Sequence, residues 1–279
     1  MTSEQLAWKI RRHGIEMTNL SQGSHIASIL SVADIVAVLY NDVMKYDCKN
    51  PNWDERDRFI LSKGHAGASV YAALAEMGFF DVSELKTHYQ NGSRLSGHVS
   101  HKGVPGVEFS TGSLGHGLPV AIGMALAAKK DNKKHRVYVV LGDGECDEGS
   151  VWEGVLVANQ FKLDNLTVII DHNKMQSLDF CENTISLKPF DKKWESFGWK
   201  VYNIDGHNHN ELKDTFNDIK NVKDRPSVVI ANTIKGKGIS FMEFDILWHY
   251  RFPHDGEEYD NAVKELHASM PEGIYDIYN

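Results

Sequence analysis

Short apolar runs with little polar alternation recur along the chain and predict buried strands. Three are RVYVVL at 136–141, LTVIID at 166–171 and SVVIANT at 227–233, and a shorter one is FILS at 59–62. Strands that are covered on both faces of a parallel sheet read as nearly continuous hydrophobic runs, whereas half-exposed strands alternate. These runs therefore predict a parallel sheet that is buried between two layers.

Helical periodicity fills the segments around these strands. From Ser3 to about Tyr46 the pattern predicts helix, because apolar side chains recur there at three- and four-residue steps and form one face. These side chains are Ile26, Ile29, Leu30, Ala33, Val36, Ala37 and Tyr40. Further helices are predicted from near Gly64, over about 149–161 and over 209–222, the last after the capping sequence DGHNHNE.

The order of these elements predicts the fold class. Strand, helix and strand between residues 136 and 171 form a βαβ unit, whose crossover is expected to be right-handed. The predicted class is α/β, a parallel sheet with helices on both faces. No repeat, low-complexity tract or linker marks a boundary. We therefore expect one domain over 1–279, with 253–279 as a C-terminal arm, and we expect the Gly-rich stretch 88–117 to line a ligand.

Composition argues against several classes of function. Hydrophobic residues make up 42% and charged residues 24% of the 279, which fits a large buried core. The net charge of −8 and the dispersed basic residues argue against a nucleic-acid partner. The N-terminus lacks a signal segment and the longest apolar runs are strand-sized, so no membrane association is expected. Cys48, Cys146 and Cys181 lack C-x-x-C spacing, which disfavours disulfides and thiolate zinc and fits a cytoplasmic protein.

The strongest chemical signal is LGDGECDEGSVWEG followed by IIDHNKMQ. Asp143 and Asn173 each follow a predicted parallel strand, and neighbouring strands lie about 4.8 Å apart. Ligands of open α/β sheets bind outside the carboxyl ends of the strands, so both side chains can offer oxygens to one small hard cation. Gly142 and Gly144 allow a phosphate to approach the backbone closely, and the helix from near Gly149 can add N–H groups. This pattern predicts a magnesium site that also requires a bound diphosphate.

With Asn173 thirty residues after Asp143, this pair of segments resembles the thiamine diphosphate signature of transketolases. Three further segments resemble the transketolase N-terminal domain in the same order: RDRFILSKGHA at 56–66, PGVEFSTGSLGHGLPVAIGMA at 105–125 and NTIKGKGISFME at 232–243. The resemblance covers about residues 5–255. It implies a parallel-sheet fold that binds thiamine diphosphate, with Mg²⁺, or Ca²⁺ or Mn²⁺ in its place.

The resemblance also implies roles for individual residues. The metal would be held by the side chains of Asp143 and Asn173 and by the main-chain carbonyl of Met175. The implied contacts of the cofactor are Gly142, Gly144, His65, His249, Lys63, Lys235, Gly112, Leu114 and Ser28. The implied catalytic residues are His25, His65, His98, His249 and Glu148, of which the four histidines surround the reacting carbons of a sugar. Glu148 matches a glutamate at the interface between two cofactor sites.

The residues themselves give the histidines weaker support. The chain has 14 histidines, and most histidines of a folded protein have no catalytic role. His25, His65 and His98 stand out because each lies at an element junction beside small residues, and an imidazole can exchange protons with sugar oxygens near neutral pH. His207, by contrast, is interpreted as an aid to helix capping.

The resemblance further implies an activity and a partner. The activity is transfer of a two-carbon ketol unit from a ketose or ketose phosphate to an aldose. Enzymes of this kind need a second domain that binds the aminopyrimidine ring and offers it a glutamate, and no such unit is recognised in these 279 residues. We therefore expect that the partner is a C-terminal transketolase subunit and that the two chains form an α2β2 heterotetramer.

Departures from the family pattern leave the sugar open. Ser24 and Ile26 flank the first histidine, His116 stands where glutamine is usual, and Tyr250 follows His249 where glycine is common. Three alternatives remain: a deoxyxylulose-phosphate-synthase-like enzyme, a nucleotide-binding oxidoreductase and a non-catalytic subunit. The oxidoreductase is disfavoured because G-x-G-x-x-G is absent. A non-catalytic subunit would have no use for the metal ligands and the histidines.

Overall fold

A five-stranded parallel sheet forms the centre of the molecule, with strand order β1-β2-β3-β5-β4. The computed structural model describes residues 1–278. The strands are β1 (Arg58–Leu61), β2 (Val137–Gly142), β3 (Leu166–His172), β4 (Lys200–Asp205) and β5 (Ser227–Asn232). Four of them were predicted within one or two residues of these bounds. The register places Gly142 beside Asp171, so β2 and β3 end within one residue of each other.

Helices cover both faces of the sheet, and the predicted α/β class is confirmed. They are α1 (Ser3–Ser21), α2 (Ile26–Val38), α3 (Gly67–Glu76), α4 (Gly117–Lys130), α5 (Gly149–Gln160), α6 (Cys181–Thr184), α7 (Phe190–Ser196), α8 (His209–Ile219) and α9 (Glu257–Ala268). Alternate strand residues face opposite layers: Val140 and Ile169 pack with α1, α2, α3 and α8, whereas Val139 and Ile170 pack with α4, α5 and α7. Burial of both faces explains the continuous apolar runs.

Helix α2 lies at the centre of one layer, and all of its residues are buried. A π-helical turn, Leu39–Val43, extends it. Residues 26–43 are long and apolar enough to cross a membrane by composition, but 83% of them are buried inside the fold. The segment is therefore the core helix of this layer.

The C-terminal segment packs on α1. Trp8 donates its indole N–H to the carbonyl of Leu266 at 2.9 Å, and Arg12 pairs with Asp276 at 2.6 Å. The expected short helix is α9, Glu257–Ala268. The division into one domain and an arm stays a prediction, and Asn279 lies outside the described residues.

Three expectations differ from the structure. The helix expected from Ser3 to about Tyr46 is broken at 22–25, where Gln22 and His25 have positive φ values of 52° and 78°. The helix expected to end at residue 222 ends at Ile219. Strand β4 was not predicted, because it is a sheet edge with polar and half-exposed residues and lacks an apolar run.

Gly14 on α1 allows α1 and α2 to pack at a short distance from each other. A Cβ atom there would lie 2.7 Å from Cγ2 of Ile29. We expect Gly14→Ala to lower the free energy of unfolding by about 1–2 kcal/mol, because overpacking outweighs the gain in helix propensity. Gly123→Ala is the matched control, since nothing lies within 4 Å of the added atom on α4. It should raise stability by about 0.5–1 kcal/mol. Urea denaturation measures both, and shifts of the same sign would contradict this packing.

Candidate functional site

A cavity of about 380 Å³ opens at the carboxyl ends of the strands. It brings together residues from distant segments that were predicted as site residues. They are His25, Lys63, His65, His98, Gly112, Leu114, Gly142, Asp143, Gly144, Asn173, Met175, Lys235 and His249. Tyr250 also lines this cavity. The site therefore draws on the ends of β1, β2, β3 and β5 and on the N-terminus of α2.

Oxygen donors of three kinds meet on one wall of this cavity. Asp143 follows β2, and Asn173 and Met175 follow β3. The carboxylate of Asp143 accepts from the N–H groups of Gly144 at 2.9 Å and Lys174 at 2.5 Å. Burial, together with the nearby charge of Asp171, raises the pKa of Asp143. Within residues 1–278, no Lys or Arg forms an ion pair with it.

A buried ion pair lies beneath these donors. Lys63, which follows β1, donates to the carboxylate of Asp171 on β3, and both side chains are almost fully buried. Asp171 also accepts from the hydroxyls of Thr233 and Ser31, the latter at 2.7 Å. Burial alone would raise the pKa of Asp171, but Lys63 and these hydrogen bonds lower it. The carboxylate is therefore charged and ties three strand ends to α2.

Lys235 supplies a second buried cation. Its ammonium donates to Nδ1 of His249 at 2.8 Å and lies 3.4 Å from the carbonyl oxygen of Met175. Burial and then the charge of Lys63 lower the pKa of Lys235 to about 8. Two lysines of like charge thus face one cavity, which is the arrangement expected where an anion binds.

Four imidazoles form the mouth of the cavity. The ring of His25 lies 5.0 Å from His65, 5.7 Å from His98 and 5.3 Å from His249, measured between centroids. Burial lowers the pKa of His25 to about 4, with further contributions from His98 and Lys235. Burial is also the first cause of the lowered pKa values of His65, His98 and His249. All four rings are therefore neutral near pH 7.

Of these four histidines, His25 is the one whose backbone lies in the left-handed region. It precedes α2 with φ at 78°, and its buried Nδ1 has no hydrogen-bond partner among residues 1–278. A left-handed conformation costs a residue with a Cβ about 1 kcal/mol or more and is found mainly at functional sites. An orphaned ring nitrogen beside the cavity is consistent with a polar ligand.

Some predicted residues lie elsewhere. Ser28 is fully buried within α2, and its hydroxyl has no partner among the described residues. Glu148 is exposed at the start of α5. Neither lines the cavity, and His116 is turned away, with its Nδ1 on the carbonyl of Leu114 at 2.9 Å. The roles given to Ser28 and Glu148 stay predictions.

Two buried acids at the site were missed by sequence reasoning. Asp171 ends an apolar strand, and Glu145 directly follows GDG. Glu145 accepts from the hydroxyl of Ser62 and from the N–H groups of Gly115 at 2.9 Å and Gly142 at 3.1 Å. It thereby joins the Gly-rich loop to the turn after β2. An acid directly after an apolar run is the signal that could have identified Asp171.

These residues fit a divalent cation bound together with a diphosphate. One carboxylate, one amide and one carbonyl are oxygen ligands suited to Mg²⁺, which commonly completes its shell with phosphate oxygens and water. No group of three His, Cys, Asp or Glu within 1–278 could hold a metal by itself. The donor set therefore needs oxygens from a ligand, and Lys63 and Lys235 offset its negative charge.

The model of one protein family, transketolase, thiamine diphosphate binding domain, matches residues 2–245. The chain belongs to the transketolase family. Members of this family are thiamine diphosphate-dependent transferases, and the resemblance seen in the sequence is confirmed.

Transketolase relatives of two lengths match the chain. It is 45% identical over 265 residues to an apulose-4-phosphate transketolase subunit of Actinobacillus succinogenes, covering 94% of this chain and 95% of that one. It is 41% identical over 257 residues to the 6-deoxy-6-sulfo-D-fructose transketolase subunit SqwG of a Clostridium species, covering 92% and 93%. Human transketolase is 40% identical over 263 residues, but the match covers only 41% of its length.

Solved transketolases share the fold. The enzyme of Campylobacter jejuni superposes with a TM-score of 0.88 at 30% identity, and that of Leishmania mexicana with 0.89 at 28%. These matches cover 95% and 99% of this chain. The chain spans 42% and 43% of those two structures. The predicted thiamine diphosphate-binding fold is thus confirmed.

The ion pair of Lys63 and Asp171 should be essential to the stability of the transketolase fold in this chain. We expect Lys63→Met to lower the free energy of unfolding by about 3 kcal/mol, because it leaves a buried carboxylate without its cation. Lys192→Met removes an exposed pair with Glu195 and should leave the urea midpoint unchanged. Equal midpoints for Lys63→Met and the unmodified chain, without added coenzyme, would contradict this assignment.

Proposed function

We propose that this chain is the N-terminal subunit of a two-chain transketolase that transfers a two-carbon ketol unit from a ketose to an aldose. The observation that carries the proposal is the meeting of Asp143, Asn173 and the carbonyl of Met175 in one cavity with two buried lysines. The match of the family's thiamine diphosphate binding domain to residues 2–245 supports it.

In this proposal the cavity holds thiamine diphosphate through Mg²⁺. Asp143, Asn173 and Met175 supply oxygen ligands to the metal, while Lys63 and Lys235 face the diphosphate. Gly112 and Leu114 lie on the wall formed by the Gly-rich loop. When bound, the coenzyme's thiazolium serves as the electron sink for cleavage of the ketose between C2 and C3. The chain orients the coenzyme and balances its charge. Ca²⁺ or Mn²⁺ is proposed as an occupant of the metal site in place of Mg²⁺.

The four histidines are proposed to bind and orient the sugar. Because Lys235 donates to Nδ1 of His249, the neutral ring of His249 carries its proton on Nε2. Nε2 can then donate to a sugar oxygen. His25 has a buried ring nitrogen that is unpaired within the described part of the chain, and this nitrogen can take part in proton exchange as carbonyl and hydroxyl interconvert. Neutral rings can serve as donor or acceptor, whereas imidazolium ions only donate.

A partner subunit is proposed to cover the mouth of the cavity. Two relatives that match over almost their whole length are called transketolase subunits. Tyr250, which lines the cavity, is 62% exposed. Leu178 and Leu247 lie within two residues of lining residues in the sequence and are exposed by 80% and 63%. Large exposed apolar groups next to the residues that line a cavity are typical of a binding surface. We propose that a C-terminal transketolase subunit covers them, supplying the pyrimidine-binding domain and its glutamate, in an α2β2 assembly in the cytoplasm.

The sugar is proposed to be an unusual ketose or ketose phosphate. The two subunit relatives act on apulose 4-phosphate and on 6-deoxy-6-sulfo-D-fructose, as their names state. The ring of Tyr250 lines the cavity, 4.7 Å from His249 and 5.4 Å from His25, where the donor sugar is proposed to enter. A large ring at this position narrows the entrance and should select among sugars of different shape.

Coenzyme uptake tests the metal site. We expect the chain with its partner to bind thiamine diphosphate only with a divalent cation, and Asp143→Asn to weaken this binding at least about tenfold because a charged ligand is lost. Asp147→Asn is the matched control, since Asp147 lies on the same turn but does not line the cavity. Calorimetric titration gives the affinities. Uptake that is independent of magnesium, or unaffected by Asp143→Asn, would refute the proposed site.

Activity tests the division between two chains. The isolated chain should show no ketol transfer, and addition of the partner subunit should restore it. Mass spectrometry of the trapped coenzyme adduct separates the alternatives: a dihydroxyethyl unit from a ketose supports a transketolase. A hydroxyethyl unit from pyruvate, with release of CO₂, would support the synthase-like alternative. Full turnover by the chain alone would show that no partner is needed.

A further inference from the structure

A second buried cluster lies at the far end of α2 from the cavity mouth, around the carboxylate of Asp34. Arg11 donates to both carboxylate oxygens, at 3.0 and 2.5 Å. His207 lies 2.6 Å from one oxygen through Nδ1, and His209 lies 3.0 Å from the other through Nε2. Asp34 is 5% exposed. Four contacts on one buried carboxylate fix its position firmly.

The hydrogen bonds determine the tautomer of His207. Its Nε2 accepts the backbone N–H of Ile234 at 2.8 Å. An imidazole nitrogen that accepts carries no proton, so the ring proton of neutral His207 is on Nδ1 and is donated to Asp34. His207 therefore joins α2 to the segment after β5. This differs from the expected capping role, since Asn208 caps α8 with its side chain.

The turn that carries His207 lies close against β5. The N–H of Gly206 donates to the carbonyl of Asn232 at 2.8 Å. A Cβ atom on Gly206 would lie 2.5 Å from Cγ2 of Thr233 and 3.1 Å from Cβ of Ala231. The missing side chain is what lets the imidazole reach Ile234.

The segment held in this way carries Lys235. Ile234 is tied through His207 to Asp34, and the N–H of Gly236 donates to the carbonyl of Ala27 at 3.1 Å. Both anchors end on α2 and lie on either side of Lys235 in the chain. Because α2 also begins beside His25, one helix sets the position of Lys235 relative to the histidines.

We propose that His207, oriented by Asp34, is a positioning residue that holds the backbone at Ile234 and thereby aims the ammonium of Lys235 into the cavity. The hydrogen bonds from Asp34 through His207 to Ile234 are called the tether below. The role of Lys235 toward a diphosphate rests on the proposed function, whereas the tether itself does not. His209 is the natural comparison, since it contacts the same carboxylate through Nε2. It makes no hydrogen bond to residues 232–238 in the part of the chain that the structure describes.

Two substitutions of His207 separate its contacts. His207→Gln places an amide oxygen near the position of Nε2 and can still accept from Ile234. His207→Asn can reach Asp34 but not Ile234. His209→Asn is the control for a general loss of stability, because it removes a contact with Asp34 and leaves the tether in place.

Nuclear magnetic resonance on the full chain without coenzyme tests the tether. We expect a neutral His207 with its proton on Nδ1 and a slowly exchanging amide at Ile234. Exchange at Ile234 should be about tenfold faster in His207→Asn. His207→Gln should restore most of the protection, and His209→Asn should retain it. A proton on Nε2 in the unmodified chain, unchanged exchange in His207→Asn, or equal acceleration in His209→Asn would each overturn the proposal.

Calorimetric titration with magnesium pyrophosphate tests the consequence for Lys235. We expect His207→Asn to bind about threefold to tenfold more weakly, and His207→Gln and His209→Asn to bind like the unmodified chain. If exchange at Ile234 responds but affinity does not, Lys235 is not positioned by this tether and the proposal is wrong. A protected Ile234 in an unmodified chain that takes up no magnesium pyrophosphate even together with its partner supports the tether and contradicts the proposed function instead.

Discussion

The buried ion pair between Lys63 and Asp171 is the interaction on which the rest of the site depends. Asp171 is the last residue but one of the central strand β3. Its carboxylate accepts from Lys63, which follows β1, from Thr233, which follows β5, and from Ser31 on α2. Removing charges from water is costly, so such a pair persists only where several hydrogen bonds satisfy it. Here those bonds also join the end of β3, which precedes Asn173, to the ends of β1 and β5 and to α2. The same set of hydrogen bonds therefore positions the cavity wall and compensates the buried charge.

The cavity combines groups that are unfavourable in the absence of a ligand. Lys235 lies near a second buried lysine, Asp143 is buried with no Lys or Arg ion pair among residues 1–278, and His25 has a left-handed backbone. Each feature costs stability that packing elsewhere must offset, and the two closely packed layers on either side of the sheet are where this occurs. A divalent cation with a diphosphate would relieve the first two together. That coupling is the physical reason to treat metal and diphosphate as one ligand.

The sequence predicted those parts of this arrangement that depend on local pattern. Continuous apolar runs identified the strands buried on both faces, and the positions of Asp143 and Asn173 after two such runs placed them at one edge of the sheet. Strand β4 was missed because an edge strand such as 200–205 carries no apolar run. Asp171 and His207 were not recognised because their partners, Lys63 and Ile234, lie 108 and 27 residues away in the chain. Spacing within one segment cannot reveal such contacts.

Helix α2 nevertheless contains a regular series of polar residues that indicates which of its sides contact the site. In a helix whose residues are all buried, its polar side chains are Ser28, Ser31 and Asp34, at steps of three after His25. An α-helix turns by about 100° per residue, so successive members of this series point in directions roughly 60° apart. This rotation explains why Ser31 reaches Asp171 while Asp34 reaches His207. Ser31 and Asp34 both have such partners, and an unpaired polar group in a core would be costly. The helix therefore holds the sheet, the segment of Lys235 and the histidine cluster in one rigid frame.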